Sequence, residues 1–390
     1  MPHLKVTPFD SKIVLQSLAK SKIMTFKAKS LSSDDEVIGI EHNEEEFLLQ
    51  LKPDSKATLL KYDKVTRPLK VNLLKEAIGK VADELELNIL SSNIAISNTK
   101  AVLSSKYFKK IEDFEKITFT KEKVSIEVGF GSGRHLLYQA QNNPNTLFIG
   151  LEIHTPSAQQ VLKQIELQNL DNIWVVNYDA RLFLEMLPSN LCTQIFVHFP
   201  VPWDKKSHRR VISSSFLSES MRVLEVGGRL ELRTDSDKYF WYSLETFFSI
   251  PNVEIEVRKN KALEVISKYE ARWKRQEKDI YDVYVKCNEH SKDKNLVLDF
   301  NFNIVKYRNG LEESISKEAM VFDGYFVHFE RLYKTENEKL LIKCAFGSFD
   351  RPEHKYIYLD KMSCRYFVSP PVKTMVNYEA HKKIMELLNV

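Results

Sequence analysis

Between residues 124 and 287, short apolar runs alternate with helical periodicity, and this pattern constrains the fold more than any other feature of the chain. The runs at 124–128, 147–152, 173–177, 194–199 and 229–234 are too short for helices and lack the polar alternation of a strand with one wet face. Strands of this kind are covered on both sides, as parallel strands joined by helical crossovers are. Right-handed crossovers then produce a doubly wound α/β domain whose ligand lies at the carboxyl ends of the strands. Two further runs, 253–257 and 280–286, predict an antiparallel pair that completes a mostly parallel, seven-stranded sheet.

Directly after the first run stand Gly129, Gly131 and Gly133, ahead of a helical pattern at 135–141. Glycine lets the backbone turn sharply and approach a ligand where a side chain would block it. Alone, such a loop fits a plain strand–helix turn as well as a ligand cradle. The specific rival is a dinucleotide fingerprint, but that needs Gly-x-Gly-x-x-Gly, and Arg134 stands where its last glycine belongs. The acidic residues separate the readings. Glu127 precedes the glycines, Glu152 ends the second run, and Asp179 follows the third beside Ala180. Three carboxylates at successive strand ends would repel a pyrophosphate. They suit a nucleoside that carries an amino acid: Glu152 for two ribose hydroxyls, Asp179 for an adenine 6-amino group, Glu127 for a methionyl ammonium beside a sulfonium. A single strand-end acid is ordinarily a solvated charge; three in order with the glycine loop point to S-adenosylmethionine.

The segments Ile126-Glu127-Val128-Gly129-Phe130-Gly131-Ser132-Gly133 and Phe148-Ile149-Gly150-Leu151-Glu152-Ile153-His154 resemble the bacterial tRNA (guanine-N7-)-methyltransferase family. Asp179-Ala180 resembles its adenine-binding acid. Phe199-Pro200-Val201-Pro202-Trp203-Asp204-Lys205-Lys206-Ser207-His208-Arg209-Arg210 resembles its proline–tryptophan signature, the most family-specific element. Thr234-Asp235 and Ser267-Lys268-Tyr269-Glu270 resemble its substrate-binding segments. The likeness spans roughly residues 120–288. It implies methyl transfer to N7 of guanine at position 46 in the tRNA variable loop. It also implies that Glu127, Glu152 and Asp179 contact the cofactor, alongside the glycines and Ala180, and that Lys205 and Asp235 contact substrate. Where the family has its proposed catalytic aspartate, this chain has Val201. Guanine N7 carries an in-plane lone pair and no proton, so no general base is required, and alignment alone can supply ~7–11 kcal/mol of the barrier. A carboxylate can still hold the guanine N1–H and 2-amino edge and favour the positive charge that builds on the ring. Asp235, aided by Asp204, is expected to take over that duty.

The net charge is only +4, so a polyanion site has to come from local clusters. Lys205, Lys206, His208, Arg209 and Arg210 form one, on the loop after the fourth strand. Lys268, Arg272, Lys274 and Arg275 form another, interleaved with Tyr269 and Trp273. Cations for phosphates and aromatic faces for bases are what RNA recognition needs. A charge run is ordinarily just solvated surface, but both clusters flank the same expected crevice, and tRNA is the expected partner, with Lys205, Arg209, Arg210, Lys268 and Glu270 as substrate contacts. His135 and His154 have no metal-ligand spacing; packing or capping is expected of them, and no metal. Trp203 reads as an anchor for its loop and Trp174 as core.

At 390 residues the chain exceeds one ordinary domain. Three are expected: an α+β extension at 1–120, the methyltransferase domain at 121–288, and a β-rich domain at 289–390. The first carries strand-like runs at 46–51 and 57–62 and a helical pattern at 73–85. The last carries runs at 295–302, 324–333, 339–346 and 354–359 and a final helix at 377–388. Lys343, Arg351, His354 and Lys355 near its turns suit either a wider RNA footprint or a purely structural unit. Four dispersed cysteines without a CxxC predict neither disulfides nor metal and suit a reducing cytosol. No apolar run approaches a membrane span, and the first thirty residues lack a secretory pattern. Two competing readings stand beside the main one. A methyltransferase acting on another RNA or a protein would not need the proline–tryptophan loop. A tRNA-binding protein that has lost its activity would explain Val201 but not the cofactor acids. Monomer and homodimer are equally compatible with the sequence.

Overall fold

The computed structural model describes residues 2–389 except 69, 96–104, 263–277, 295–297, 303–307 and 309. It contains two compact units, one formed by 102–297 and one that joins 1–101 to 298–390. The expected division into three is therefore redrawn: the first and last stretches share one unit, because a strand of each pairs with the other.

The N-terminal half of the shared unit supplies β1 (His3–Val6), β2 (Met24–Ser30), β3 (Glu36–His42), β4 (Glu45–Pro53), β5 (Thr58–Tyr62) and β6 (Ile89–Ser92), with helices α1 (Lys12–Leu18) and α2 (Val71–Glu84). Helix α2 buries Leu73, Leu74, Ala77, Ile78 and Val81, one face at three- and four-residue spacing. That face meets Ile38, Ile40, Phe47, Leu49 and Leu60 of the sheet.

The chain then builds the second unit with β7 (Phe108–Lys109), β8 (Lys123–Val128), α3 (Arg134–Asn142), β9 (Thr146–Leu151), α4 (Thr155–Leu167), β10 (Ile173–Val176), α5 (Ala180–Met186), β11 (Cys192–His198), α6 (Ser214–Val223), β12 (Leu224–Thr234), α7 (Asp237–Phe247), β13 (Glu254–Lys259) and β14 (Tyr281–Lys286). The sheet order is β13-β14-β12-β11-β8-β9-β10-β7. The pairs from β12 through β7 are parallel, and β14 runs antiparallel to both β12 and β13. The eighth strand, against the seven expected, is the two-residue β7 on the edge beside β10. Order reverses between β8 and β11, and at such a switch point the crevice beyond the strands can receive a ligand. Trp174 is buried within β10 against Phe114 and Phe119.

The returning chain adds β15 (Met320–Val321), β16 (Phe326–Thr335), β17 (Leu340–Gly347), β18 (Glu353–Leu359), β19 (Cys364–Phe367) and helix α8 (Met375–Leu388). Strand β16 pairs antiparallel with β2, making one eleven-stranded sheet from both halves. Its far strands also meet: the rings of Phe26 on β2 and Phe367 on β19 are 5.8 Å apart. Four strand spacings in a flat sheet would separate them by about 19 Å. The sheet is therefore rolled, with Leu48, Tyr333, Tyr356 and Phe367 in the shared interior. Of the run expected at 295–302, the described part, 298–302, forms no strand. Leu298, Phe300 and Phe302 alternate because they anchor the chain in the core beneath α8, not because a ladder partner is present.

Candidate active site

Strands β8, β9 and β10 are parallel neighbours, so their carboxyl ends lie along one edge of the sheet. Glu127 lies at the end of β8, Glu152 directly after β9, and Asp179 at the start of α5 after β10. The three glycines fill the turn from β8 into α3 with positive φ throughout. Gly133 has φ +71°, and a Cβ there would lie 2.2 Å from Val161 Cγ2, so a side chain would push α3 off α4. Gly129 has φ +69°, yet a Cβ there would meet no protein atom within 4 Å. The first lets the helix pack; the second leaves backbone accessible from the crevice.

The acids are held in place before any ligand is considered. Glu152 accepts from Gly131 N at 2.9 Å and from His154 N at 2.9 Å, which ties the glycine loop to the end of β9. Asn177 donates to the Glu152 carbonyl at 2.5 Å. Asp179 caps α5 by accepting from Arg181 N at 2.9 Å, and the Arg181 guanidinium reaches its second oxygen at 2.7 Å. Ala180 is the buried first residue of that helix. His154 pairs with Ser157 across the first turn of α4, a local helix-end role.

Glu127 is buried and bonded to His135 Nδ1 at 2.8 Å. Packing was expected of His135; the carboxylate bond was not. The His135 ring lies 4.4 Å from that of His198 at the end of β11, and His198 Nε2 is 3.0 Å from Glu231 Oε1 on β12. Gln194 donates to the other Glu231 oxygen at 3.2 Å. Beside them Arg233 is fully buried against Asp282 of β14 and donates to the Lys261 carbonyl at 3.1 Å. Burial disfavours a charged His135, but the Glu127 carboxylate and, further off, Glu231 outweigh it and raise the imidazole above its ordinary range. Burial likewise opposes the Glu231 charge, and the His198 hydrogen bond outweighs it, holding that carboxyl below its usual range. For Asp282 burial prevails over Arg233 and raises the carboxyl. His198, Glu231, Arg233 and Asp282 are absent from the sequence-based site; a charge at every second position of a both-face-buried strand, as at Glu231 and Arg233, was the available signal.

The loop after β11 begins with Phe199 at φ +50° and passes Trp203 at φ +46°. Left-handed backbone at bulky residues costs about 1–3 kcal/mol each and persists where the surroundings impose it. Arg210 helps impose it here. Its Nε donates to the Pro202 carbonyl at 2.8 Å, and its guanidinium lies 4.3 Å from the Tyr242 ring centre. Arg210, expected as a contact to RNA, is buried here and anchors the loop. Lys205, Lys206 and Arg209 are exposed, with Arg209 over the Trp203 ring at 5.2 Å. Asp204 is half exposed, 3.7 Å from Arg210, and Val201 is exposed. Asp235, directly after β12, is largely shielded and pairs with Lys278 at 3.1 Å. Lys268 and Glu270, with the second basic cluster, lie outside the described residues. Among the described residues no group of three His, Cys, Asp or Glu is arranged to hold a metal ion.

Comparison with known proteins adds independent findings. A family model described as "Putative methyltransferase" matches residues 121–283. The tRNA (guanine-N(7)-)-methyltransferase of Wolinella succinogenes is 41% identical over 362 residues, 92% of each chain. That of Campylobacter jejuni strain 81-176 is 41% identical over 353 residues, 89% of each. That of Helicobacter hepaticus is 36% identical over 374 residues, 93% of each. Among solved structures, the 16S rRNA methyltransferase KamB matches with TM-score 0.37 and 15% identity, over 46% of this chain and 94% of that one. The likeness to the curated relatives runs through both units, whereas the family model stays within the second.

Proposed function

The chain belongs to the tRNA (guanine-N(7)-)-methyltransferase family and is an enzyme of that kind, and from this premise we propose that it methylates N7 of guanine 46 in the tRNA variable loop with S-adenosylmethionine. The observation that carries the site assignment is the row of Glu127, Glu152 and Asp179 along the carboxyl edge of β8, β9 and β10, beside a glycine loop open at Gly129. We read the sheet as the seven-stranded methyltransferase sheet with β7 added at its edge, and the protein as cytoplasmic.

The residues present fit the cofactor. Glu152 is fixed by two backbone donors and retains lone pairs for the ribose hydroxyls. Asp179, oriented by Arg181, accepts from the adenine 6-amino group, and Ala180 gives the adenine a flat apolar neighbour. Glu127 faces the methionyl ammonium, with Gly129, Gly131 and Gly133 shaping the backbone around it. When bound, S-adenosylmethionine supplies a methyl group on a positively charged sulfur, ready for in-line displacement.

The rest of the task is alignment. Guanine N7 presents a lone pair and no proton, so side chains need only hold the base and the charge that develops on it. Asp235 accepts from the guanine N1–H and 2-amino edge, with Asp204 in support, in place of the aspartate that Val201 replaces. Lys205 and Arg209 bind tRNA phosphates, Lys268 and Glu270 add substrate contacts, and Arg210 serves by holding their loop. Asp235→Asn tests the assignment in a single-turnover assay with unmodified tRNA. The expected methyl-transfer rate falls on the order of 100-fold; an unchanged rate excludes Asp235 from that role.

A further inference from the structure

The largely shielded histidine beside Glu127 has a geometry that packing alone does not require. On α3, His135 turns Nδ1 to Glu127 of β8 at 2.8 Å and Nε2 to the Gln139 amide nitrogen at 3.1 Å. Its ring meets Phe196 and His198 of β11, and Glu231 and Arg233 of β12 act on it from further off. Among the described residues, no titratable group other than Glu127 bonds to it. An amide nitrogen facing Nε2 donates to a neutral imidazole; rotating the Gln139 amide presents its oxygen to a protonated one, so both states can be satisfied.

Glu127 therefore already has one partner able to carry positive charge. The reading above brings it a second, the methionyl ammonium, and the inference rests on that reading. Two cations sharing one buried carboxylate repel each other, whereas a neutral imidazole still donates from Nδ1. We propose that His135 is a positioning residue for the cofactor: it orients the Glu127 carboxylate through Nδ1–H and releases its Nε2 proton to solvent as the ammonium arrives. Cofactor binding is then coupled to proton release. The Glu127 carboxylate and, further off, Glu231 raise the His135 imidazole above its ordinary range against the opposing effect of burial, so the free protein is on the protonated side at the acid end of the titration. The neutral state left after binding keeps the Glu127 bond and accepts from Gln139, so no buried group is orphaned.

The test is calorimetric titration of the full-length protein with S-adenosylmethionine in two buffers of different ionisation enthalpy, from about pH 5.5 to 7.0, below the titration of an α-amino group. The wild type is expected to release close to one proton per cofactor, with affinity rising by up to about tenfold per pH unit. His135→Asn keeps a donor towards Glu127 but cannot titrate; it is expected to bind with no proton release and a flat pH profile. Gln139→Glu, which places a carboxylate beside Nε2, is expected to move the upper end of the pH dependence to higher pH, and it serves if His135→Asn fails to fold. Binding without proton release in the wild type, or an unmoved profile in Gln139→Glu, overturns the inference and leaves the cofactor assignment intact. No saturable binding at any pH overturns both.

Discussion

The two units bury charged and polar side chains to different ends. In 102–297 three pairs of them gather at one end of the sheet: Glu127 with His135, His198 with Glu231, Arg233 with Asp282, all beside the crevice edge. In the other unit they tie together stretches that are remote in sequence. Buried Asp63 accepts from Tyr356 across 293 positions, half-buried Arg331 pairs with Asp35 across 296, and at the surface Arg365 pairs with Glu46 across 319. Polar burial at a strand end prepares a surface for something else, whereas polar burial in the middle of a rolled sheet holds the two ends of a chain to each other. Losing a ligand-facing group at the crevice edge should weaken binding first, whereas losing one of the second kind should lower stability and leave binding unchanged.

Asp63→Ala presses that contrast hardest. Asp63 is buried and accepts from Gln50, Tyr356 and the backbone of Val65 and Thr66. Its removal orphans several buried donors and should cost about 3 kcal/mol in denaturant unfolding, with cofactor affinity unchanged. A loss of affinity in this variant would break the contrast. Glu152→Ala should behave oppositely: affinity for S-adenosylmethionine falls about 30-fold, near 2 kcal/mol, by calorimetry, while the unfolding midpoint of the terminal unit stays put. Tyr356→Phe removes one hydroxyl from the Asp63 network and should cost about 1 kcal/mol of stability.

The last effect shows itself only in acid and is absent near neutral pH. The Glu330 carboxyl is pulled down to about 2, foremost by its hydrogen bond to His354, with burial opposing and Lys343 adding to the pull. A depressed carboxyl contributes stability that is complete above its ordinary value of 4.5 and is lost as pH falls from there through about 2. Glu330→Gln should therefore flatten the acid limb of the terminal unit's unfolding curve between those values, without altering binding near neutral pH.

The same contrast separates what could be read in the sequence from what could not. Every strand from β8 to β14 begins or ends within a few residues of an apolar run visible in the chain, except the start of β12. There Gly227, at φ +86°, and Gly228 interrupt the run and hide the first turn of an eleven-residue strand. Parallel strands buried on both faces advertise themselves through composition, and the ligand edge follows from their order. The terminal unit gives no such signal. Strand β2 has Lys27 facing inward, where it meets Glu36 at 3.0 Å, and reads as polar until that partner is known. The pairing of β2 with β16 leaves no local trace at all, since a ladder bond between residues about 300 apart imposes nothing on either neighbourhood. Arg210 is hidden for the opposite reason: it sits in a run of cations, and only the fold shows that it lies against Tyr242.

That long-range pairing has a consequence for biogenesis. During translation Met24–Ser30 leaves the ribosome about 300 residues ahead of Phe326–Thr335, the strand that covers its free edge. At about 5–20 residues per second the nascent chain carries an open β-edge for roughly 15–60 s, while the methyltransferase unit has time to fold behind it. Throughout that interval the growing polypeptide offers a template for intermolecular pairing, which exposed Lys29 on the strand counters with charge.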